Sequence, residues 1–393
     1  MREKLIVLLS FILIFSFSAV DNAIAPMVKT LHSYYSVDLE KVIWLISYCT
    51  FGILFGIVIG PAFIASFNAK KVIASAAIGM SAMLALFLLT PQFLGALLFR
   101  TLFGIFLGVA ASSMWWITYY GVNKHYYQAM VIVLMSARPL ALALGVPAAG
   151  LIAANYDWRY GFYLFLGLIA LSGLTLTFSL QGDSQAKEKF SPFKIITEYI
   201  NAFKVKNLTK YYSGMVLNRM CYFGFYSFQG VWFIKHYNAS LESISQALFF
   251  IGLAETAINF AAPALLKKIG AERLFTISII SSGVIFAIFI QGVLSFYAAV
   301  FMIALFMVLD RLYVVTSVIA IPEMFAEAQN KTIFGSLNTL TAWLGLGIIS
   351  WIQGRFTNEI GISAMQNLLL LSFIAGSALI YKVQYETVFS KNK

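Results

Sequence analysis

Long apolar runs separated by short polar breaks cover almost the whole chain. They fall near 5–28, 42–66, 72–90, 94–118, 128–152 and 160–179, and again near 211–234, 246–266, 274–293, 296–320, 333–352 and 362–381. Each comes close to the roughly 20 residues that an α-helix needs to cross the hydrocarbon of a bilayer. The pattern predicts an all-α integral membrane protein with twelve transmembrane helices in two pseudo-symmetric bundles of six. The longest hydrophilic gap sets the domains: an N-terminal bundle over 1–180, a cytoplasmic central loop over 181–210, and a C-terminal bundle over 211–393 that ends in a short cytoplasmic tail.

Charge in the loops gives the orientation. With a cytoplasmic amino terminus, the inner segments hold Arg2, Lys4, Lys70, Lys71, Lys124, Lys187, Lys189, Lys194, Lys204, Lys206, Lys210, Lys267, Lys268, Arg273, Lys331, Lys382, Lys391 and Lys393. The outer segments hold only Lys29, Lys41, Arg159, Lys235 and Arg355. Basic residues concentrate on the cytoplasmic side of membrane proteins, so both termini and the central loop are expected there, in a bacterial inner membrane. A faint repeat agrees with two equivalent halves, since Phe67-Asn68-Ala69-Lys70-Lys71-Val72 after the second span resembles Ile269-Gly270-Ala271-Glu272-Arg273-Leu274 after the eighth.

Two segments carry more than one reading. Residues 1–25 imitate a signal peptide, with a basic start, an apolar run and Ala23 and Ala25 at the end. The long apolar run, Asp21 before the cleavage position and Pro26 just after it favour a retained first helix. In the central loop, Phe193, Ile196, Tyr199, Ile200 and Phe203 recur at helical spacing, as in an amphipathic helix on the inner leaflet, and the alternative is a solvated linker.

Composition narrows the class. The chain is 61% hydrophobic and 11% charged, with mean hydropathy +0.85, against about 45–50% and about 25% in soluble domains. The lipid bilayer is therefore its main partner, and the net charge of +11 reflects loop lysines rather than affinity for nucleic acid. Cys49 and Cys221 lie inside apolar runs and suggest neither a disulfide framework nor a metal site. His32, His125 and His236 fall in the predicted loops, away from any relay within the membrane. No Gly-x-x-x-x-Gly-Lys-[Ser/Thr] run is present, so ATP is not the expected power source, and neither a cofactor nor an enzymatic activity is expected.

Seven ionisable residues fall inside the predicted spans: Asp21, Arg100, Arg138, Arg219, Glu255, Asp310 and Arg311. Facing lipid, each would cost roughly 2.5–3.5 kcal/mol, so they are expected to face one another or water. Asp21 and Arg100 lie at similar depth, and a carboxylate whose arginine moves away would take up a proton, while a fixed structural pair is the plainer reading. Glu255 and Asp310 are further proton-coupling candidates. Arg138, Arg219 and Arg311 could hold carboxylate or phosphate groups. Arg311 follows Asp310 directly, so the two cannot point the same way. Asn259, one turn after Glu255, and Gln229 and Trp232 late in the seventh span complete the substrate-binding candidates. Trp115, Trp116, Tyr119 and Tyr120 read as an interfacial belt.

At these residues the chain resembles the major facilitator superfamily, and within it the twelve-helix drug:proton antiporter branch. In the fourth span, Arg100-Thr-Leu-Phe-Gly104-Ile-Phe-Leu-Gly108 is similar to the family's Arg-x-x-x-Gly-x-x-x-Gly motif, whose arginine is implicated in proton transfer. In the fifth, Gly145-Val-Pro147-Ala-Ala-Gly150 and the following Asp157-Trp158-Arg159-Tyr-Gly-Phe162 are similar to the antiporter motif and its trailing segment. Glycines spaced in this way let helices approach closely. Asp21-Asn-Ala-Ile-Ala-Pro26 resembles the acidic first-span motif. The loop after the second span departs from the family pattern: Gly60 and Lys70-Lys71 fit, whereas Ile64 stands in place of an aspartate and Phe67 in place of a glycine.

The resemblance implies a monomeric secondary transporter that exposes a midplane site alternately to the two sides of the membrane, moving a small organic solute by proton-coupled export. Arg138, which a pocket for apolar drugs would not need, indicates an anionic or zwitterionic substrate such as a siderophore-like chelate. The alternatives are a proton symporter importing an anionic nutrient or chelate and, outside transport, a membrane sensor or scaffold.

Overall fold

The computed structural model describes residues 2–24, 27–37, 39–180, 192–239, 241–325 and 331–392, and among them it contains helices and turns but no strand. The helices are α1 (Arg2–Asn22), α2 (Val28–Tyr35), α3 (Leu39–Ser66), α4 (Ala69–Leu89), α5 (Phe93–Trp116), α6 (Tyr127–Leu140), α7 (Val146–Asn155) and α8 (Tyr160–Ser179). They continue with α9 (Pro192–Phe203), α10 (Leu208–Tyr237), α11 (Leu241–Ile269), α12 (Ala271–Phe289), α13 (Phe296–Met324) and α14 (Lys331–Thr387).

Among the described residues, eleven segments are long and apolar enough to cross a membrane, with α6 and α7 joined as one crossing and α14 supplying two, Thr332–Ile349 and Gly361–Thr387. The twelfth crossing is α10. Its 30 residues, at about 1.5 Å each, exceed the hydrocarbon thickness of about 30 Å, but Asn218, Arg219, Gln229 and several tyrosines dilute its hydropathy. Inside α14 the chain breaks at Gly361, with φ 79° and ψ 166°, a conformation that side-chain-bearing residues rarely adopt. Pro139 removes one amide donor from α6, and the helix widens into a π-helical turn over Ala141–Gly145 before α7 resumes, with Pro147 in its first turn.

Connections are tight where the sequence repeats. Asn68 caps α4 by accepting from the Lys70 amide at 2.9 Å, and Gly270 joins α11 to α12 with φ 87°. Of the two readings of the central segment, the helical one is found for its second part, α9. Residues 181–191 lie outside the described residues, as do Ala25 and Pro26 of the first-span motif.

The chain forms two compact units, 1–200 with 330–336, and 201–329 with 337–393. In the first, the main contact is α3 against α5. A Cβ on Gly104 would lie 2.2 Å from the Cys49 carbonyl oxygen, one on Gly108 2.3 Å from that of Ile53, and ones on Gly52 and Gly56 2.2 Å from those of Thr101 and Ile105. Both helices therefore present glycine stripes, and the backbones touch. Gly145 packs against the Ala19 methyl of α1, which a Cβ would approach to 2.8 Å. In the second unit α13 packs on α11 and α12, and Phe225, Phe286, Phe289, Phe306 and Phe373 form a continuous aromatic core.

Two local expectations change. His236 sits in the last turn of α10, with Gly292 packed against its ring and Gln366 Nε2 at 2.9 Å from its Nε2; His32 lies in α2 and His125 in a short 3₁₀ turn. The helices run on past the apolar runs, which is why the loops are shorter than the hydropathy implies. Trp115 is buried and stacks on Tyr119, with ring centroids 5.8 Å apart, so it fills the interior while Tyr120 is exposed.

Candidate functional site

Each unit holds one cluster of buried charge. In the first unit, Asp21 occupies the last turn of α1 and is buried. Two guanidinium groups approach its carboxylate, Arg100 Nη2 at 3.9 Å from Oδ1 and Arg138 Nη2 at 3.8 Å from Oδ2. Cys49 Sγ of α3 donates to Oδ1 at 3.6 Å.

Arg100 is fully enclosed, and most of its hydrogen bonding goes to backbone. Nη1 donates to the Val20 carbonyl at 3.4 Å, Nη2 to that of Asp21 at 3.2 Å and Nε to that of Leu45 at 3.4 Å. It thus satisfies carbonyls that the end of α1 leaves without helical partners, where a cation is also favoured by the helix dipole. Its guanidinium carbon lies 5.5 Å from the Phe103 ring centroid and 5.8 Å from that of Phe87. Arg138 differs, with 31% of its side chain exposed. Two guanidiniums therefore share one carboxylate, and the more accessible one can also meet another anion.

In the second unit, α10, α11 and α13 bring together two ion pairs. Arg219 Nη2 lies 2.7 Å from Asp310 Oδ1, and Tyr313 both accepts from Arg219 at 2.9 Å and donates to Asp310 at 2.8 Å. Asn218 Oδ1 accepts from Arg219 and also lies within reach of the Tyr313 hydroxyl, whose one proton it shares with Asp310, while its Nδ2 donates to Ser377 at 3.3 Å. Arg311 Nε and Nη2 both lie 2.5 Å from Glu255 Oε1. Tyr222 donates to the same oxygen at 2.6 Å and accepts from Arg311 at 2.8 Å. The Tyr222 ring centroid is 4.9 Å from each of the two guanidinium carbons. Cations are attracted to the face of an aromatic ring, so one tyrosine joins the two pairs.

The expectation that adjacent Asp310 and Arg311 diverge matches this arrangement. Asn259 donates to the Glu255 carbonyl at 2.9 Å and leaves its Oδ1 buried without a hydrogen bond. Gln229 and Trp232 lie farther along α10; Trp232 is buried among Phe225 and Phe289 and donates to the Ile290 carbonyl at 3.0 Å. Gly104, Gly108 and Gly145 serve helix contact as described, and Gly150 lies on α7. Asn218, Tyr222, Tyr313 and Cys49 join the clusters without having been expected there. The signal for the first three was present, since Asn218 and Tyr222 flank Arg219 within one turn and Tyr313 follows Asp310 by three residues.

Membrane-crossing helices with buried arginine–carboxylate pairs inside both units define a polytopic membrane protein of the transporter class. The chain belongs to the Major Facilitator Superfamily, whose family model matches residues 6–350. No curated protein matches it. Its fold is shared by solved structures of low sequence identity. The human organic anion transporter MFSD10 (TETRAN) is 14% identical over 95% of this chain and 99% of its own, with a TM-score of 0.70. The transporter FucP in its outward conformation is 12% identical over 96% and 98%, with a TM-score of 0.75. A bacterial homologue of the iron transporter ferroportin, outward-facing, is 12% identical over 98% and 99%, with a TM-score of 0.75.

Proposed function

We propose that the chain is a proton-linked secondary transporter of a small organic anion that works by alternating access, as a monomer in a bacterial inner membrane with both termini cytoplasmic. The observation that carries this reading is the carboxylate of Asp21 between Arg100 and Arg138, with Arg138 partly exposed. A proton on Asp21 cancels its hold on Arg138 and strengthens that guanidinium's attraction for an anionic solute. Linkage is reciprocal, so an anion on Arg138 equally favours the proton on Asp21. Proton and anion then bind together, which is the requirement of symport, and an inward proton gradient drives uptake.

A second reading rests on Gly145 and Pro147, whose motif resembles that of antiporters and of which Gly145 packs at α1, the helix carrying Asp21. There a cationic solute competes with the proton for Asp21, and the same carboxylate supports export. The test is solute-stimulated proton movement in proteoliposomes, comparing polycarboxylates with cationic drugs. Polycarboxylate-dependent proton uptake that D21N removes supports anion symport, and cation-dependent proton movement that D21N removes supports the antiport reading. Proton flux that responds to no solute, or that D21N leaves intact, overturns coupling through Asp21.

A further inference from the structure

The geometry points to a carboxylate-binding site in the second unit, formed by Arg311 and Tyr222, which Glu255 fills as an internal stand-in until it is protonated. The inference deepens the transport reading above and rests on it for the nature of the cargo, an organic anion.

Three donors converge on one oxygen. Arg311 Nε, Arg311 Nη2 and the Tyr222 hydroxyl all lie within 2.6 Å of Glu255 Oε1. A planar guanidinium with a hydroxyl beside it is a complementary cradle for a carboxylate. The Tyr222 ring, held between the guanidiniums of Arg219 and Arg311, fixes where its hydroxyl points.

The neighbouring pair shows why this site and not the other would exchange. Arg219 and Asp310 are 4% and 0% exposed and are locked by Asn218 and Tyr313, whereas the Arg311 side chain is 12% exposed. Among the described residues, the charged and titratable groups shown beside Glu255 include Arg311 and Asp310 on α13 and Arg219 and Tyr222 on α10. Asn259, on the face of α11 that carries Glu255, keeps a buried acceptor that no hydrogen bond uses, as suits the neighbour of a carboxylate that at times carries a proton.

The exchange balances simply. Glu255 takes one proton from water and becomes neutral, its oxygen leaves the three donors, and a carboxylate oxygen of the solute replaces it. No covalent bond other than the O–H changes. At this site one carboxylate of the solute is therefore taken up with one proton.

Succinate and citrate, with acetate as the monocarboxylate control, are the probes, titrated calorimetrically at pH 5.5 and pH 8 against the full-length protein. The D21N background removes titration at Asp21 and isolates the second unit. D21N is expected to bind succinate more tightly at pH 5.5 than at pH 8. D21N/E255Q is expected to lose that difference and to bind at pH 8 roughly 5- to 150-fold more tightly than D21N, the usual range of such couplings. D21N/Y222F, which keeps both ion pairs and the ring, is expected to bind roughly tenfold more weakly while keeping the pH dependence.

Unchanged pH dependence in D21N/E255Q, unchanged affinity in D21N/Y222F, or no binding of any of the three acids to any variant overturns the proposal. Because these readouts are made without Asp21, they stand apart from the D21N flux test. Loss of coupling there with pH-independent binding here discards only the site at Arg311.

Discussion

Asp310 and Arg311 are neighbours on α13 yet belong to different ion pairs, Asp310 with Arg219 at 2.7 Å and Arg311 with Glu255 at 2.5 Å. Successive side chains on an α-helix project about 100° apart. One helix can therefore hold a cation from α10 on one side and an anion from α11 on the other, and the four charges cancel pair by pair. Tyr222 lies between the two guanidiniums and makes the pairs a single network.

The Arg219–Asp310 pair is expected to be costly to break and cheaper to remove. R219A or D310A alone leaves a buried charge without its partner, a loss of about 3–5 kcal/mol, whereas R219L/D310L together restores most of it. Thermal unfolding of the purified protein in detergent reads the difference, and equal losses in the single and double variants would show that the pair is not the unit of stability.

The glycine contact between α3 and α5 sets a second expectation. G104A places a Cβ 2.2 Å from the Cys49 carbonyl oxygen and G108A one 2.3 Å from that of Ile53, so each forces the helices apart at about 1–3 kcal/mol. Gly347 has nothing within 4 Å of its would-be Cβ, and G347A is expected to leave stability unchanged or raise it by up to about 1 kcal/mol. Melting temperatures of the three variants, measured together, check the contrast.

Arg100 should not tolerate replacement by lysine. Its guanidinium reaches the carbonyls of Val20, Asp21 and Leu45 from a fully buried position, and a single ammonium cannot span all three. R100K is expected to cost about 1–3 kcal/mol for the carbonyls left without donors and to lower proton-coupled flux. A wild-type melting temperature in R100K would count against this role.

For Arg138 the expectation is the reverse. Its guanidinium is partly exposed and Asp21 keeps Arg100 as a second partner, so R138Q is expected to melt within about 1 kcal/mol of the parent, while solute-dependent proton flux with polycarboxylates falls at least tenfold. Flux that survives R138Q would remove the anion contact from the first unit.

Much of the architecture was legible in the chain. Runs of apolar residues marked all twelve crossings, 211–234 in α10 among them, although Arg219 and its polar neighbours weaken the signal there. The seven intramembrane charges were legible for the same reason, because a charge stands out against an apolar run. Gly104 and Gly108 announced a close helix contact, whereas their counterparts Gly52 and Gly56 on α3 emerged only when the helices were paired.

What the sequence determined by itself is the number and order of crossings and which residues must avoid lipid, since both follow from transfer of each segment out of water. Only the tertiary structure decided who meets whom. Asp21 and Arg100 are separated by 79 positions in the chain, and Arg219 and Asp310 by 91. Their pairing depends on how each helix is rotated and how closely its neighbours approach. Hydropathy carries no record of rotation, so the sharing of Asp21 by Arg138, and the place of Tyr222 between two arginines, became visible only once the helices had packed.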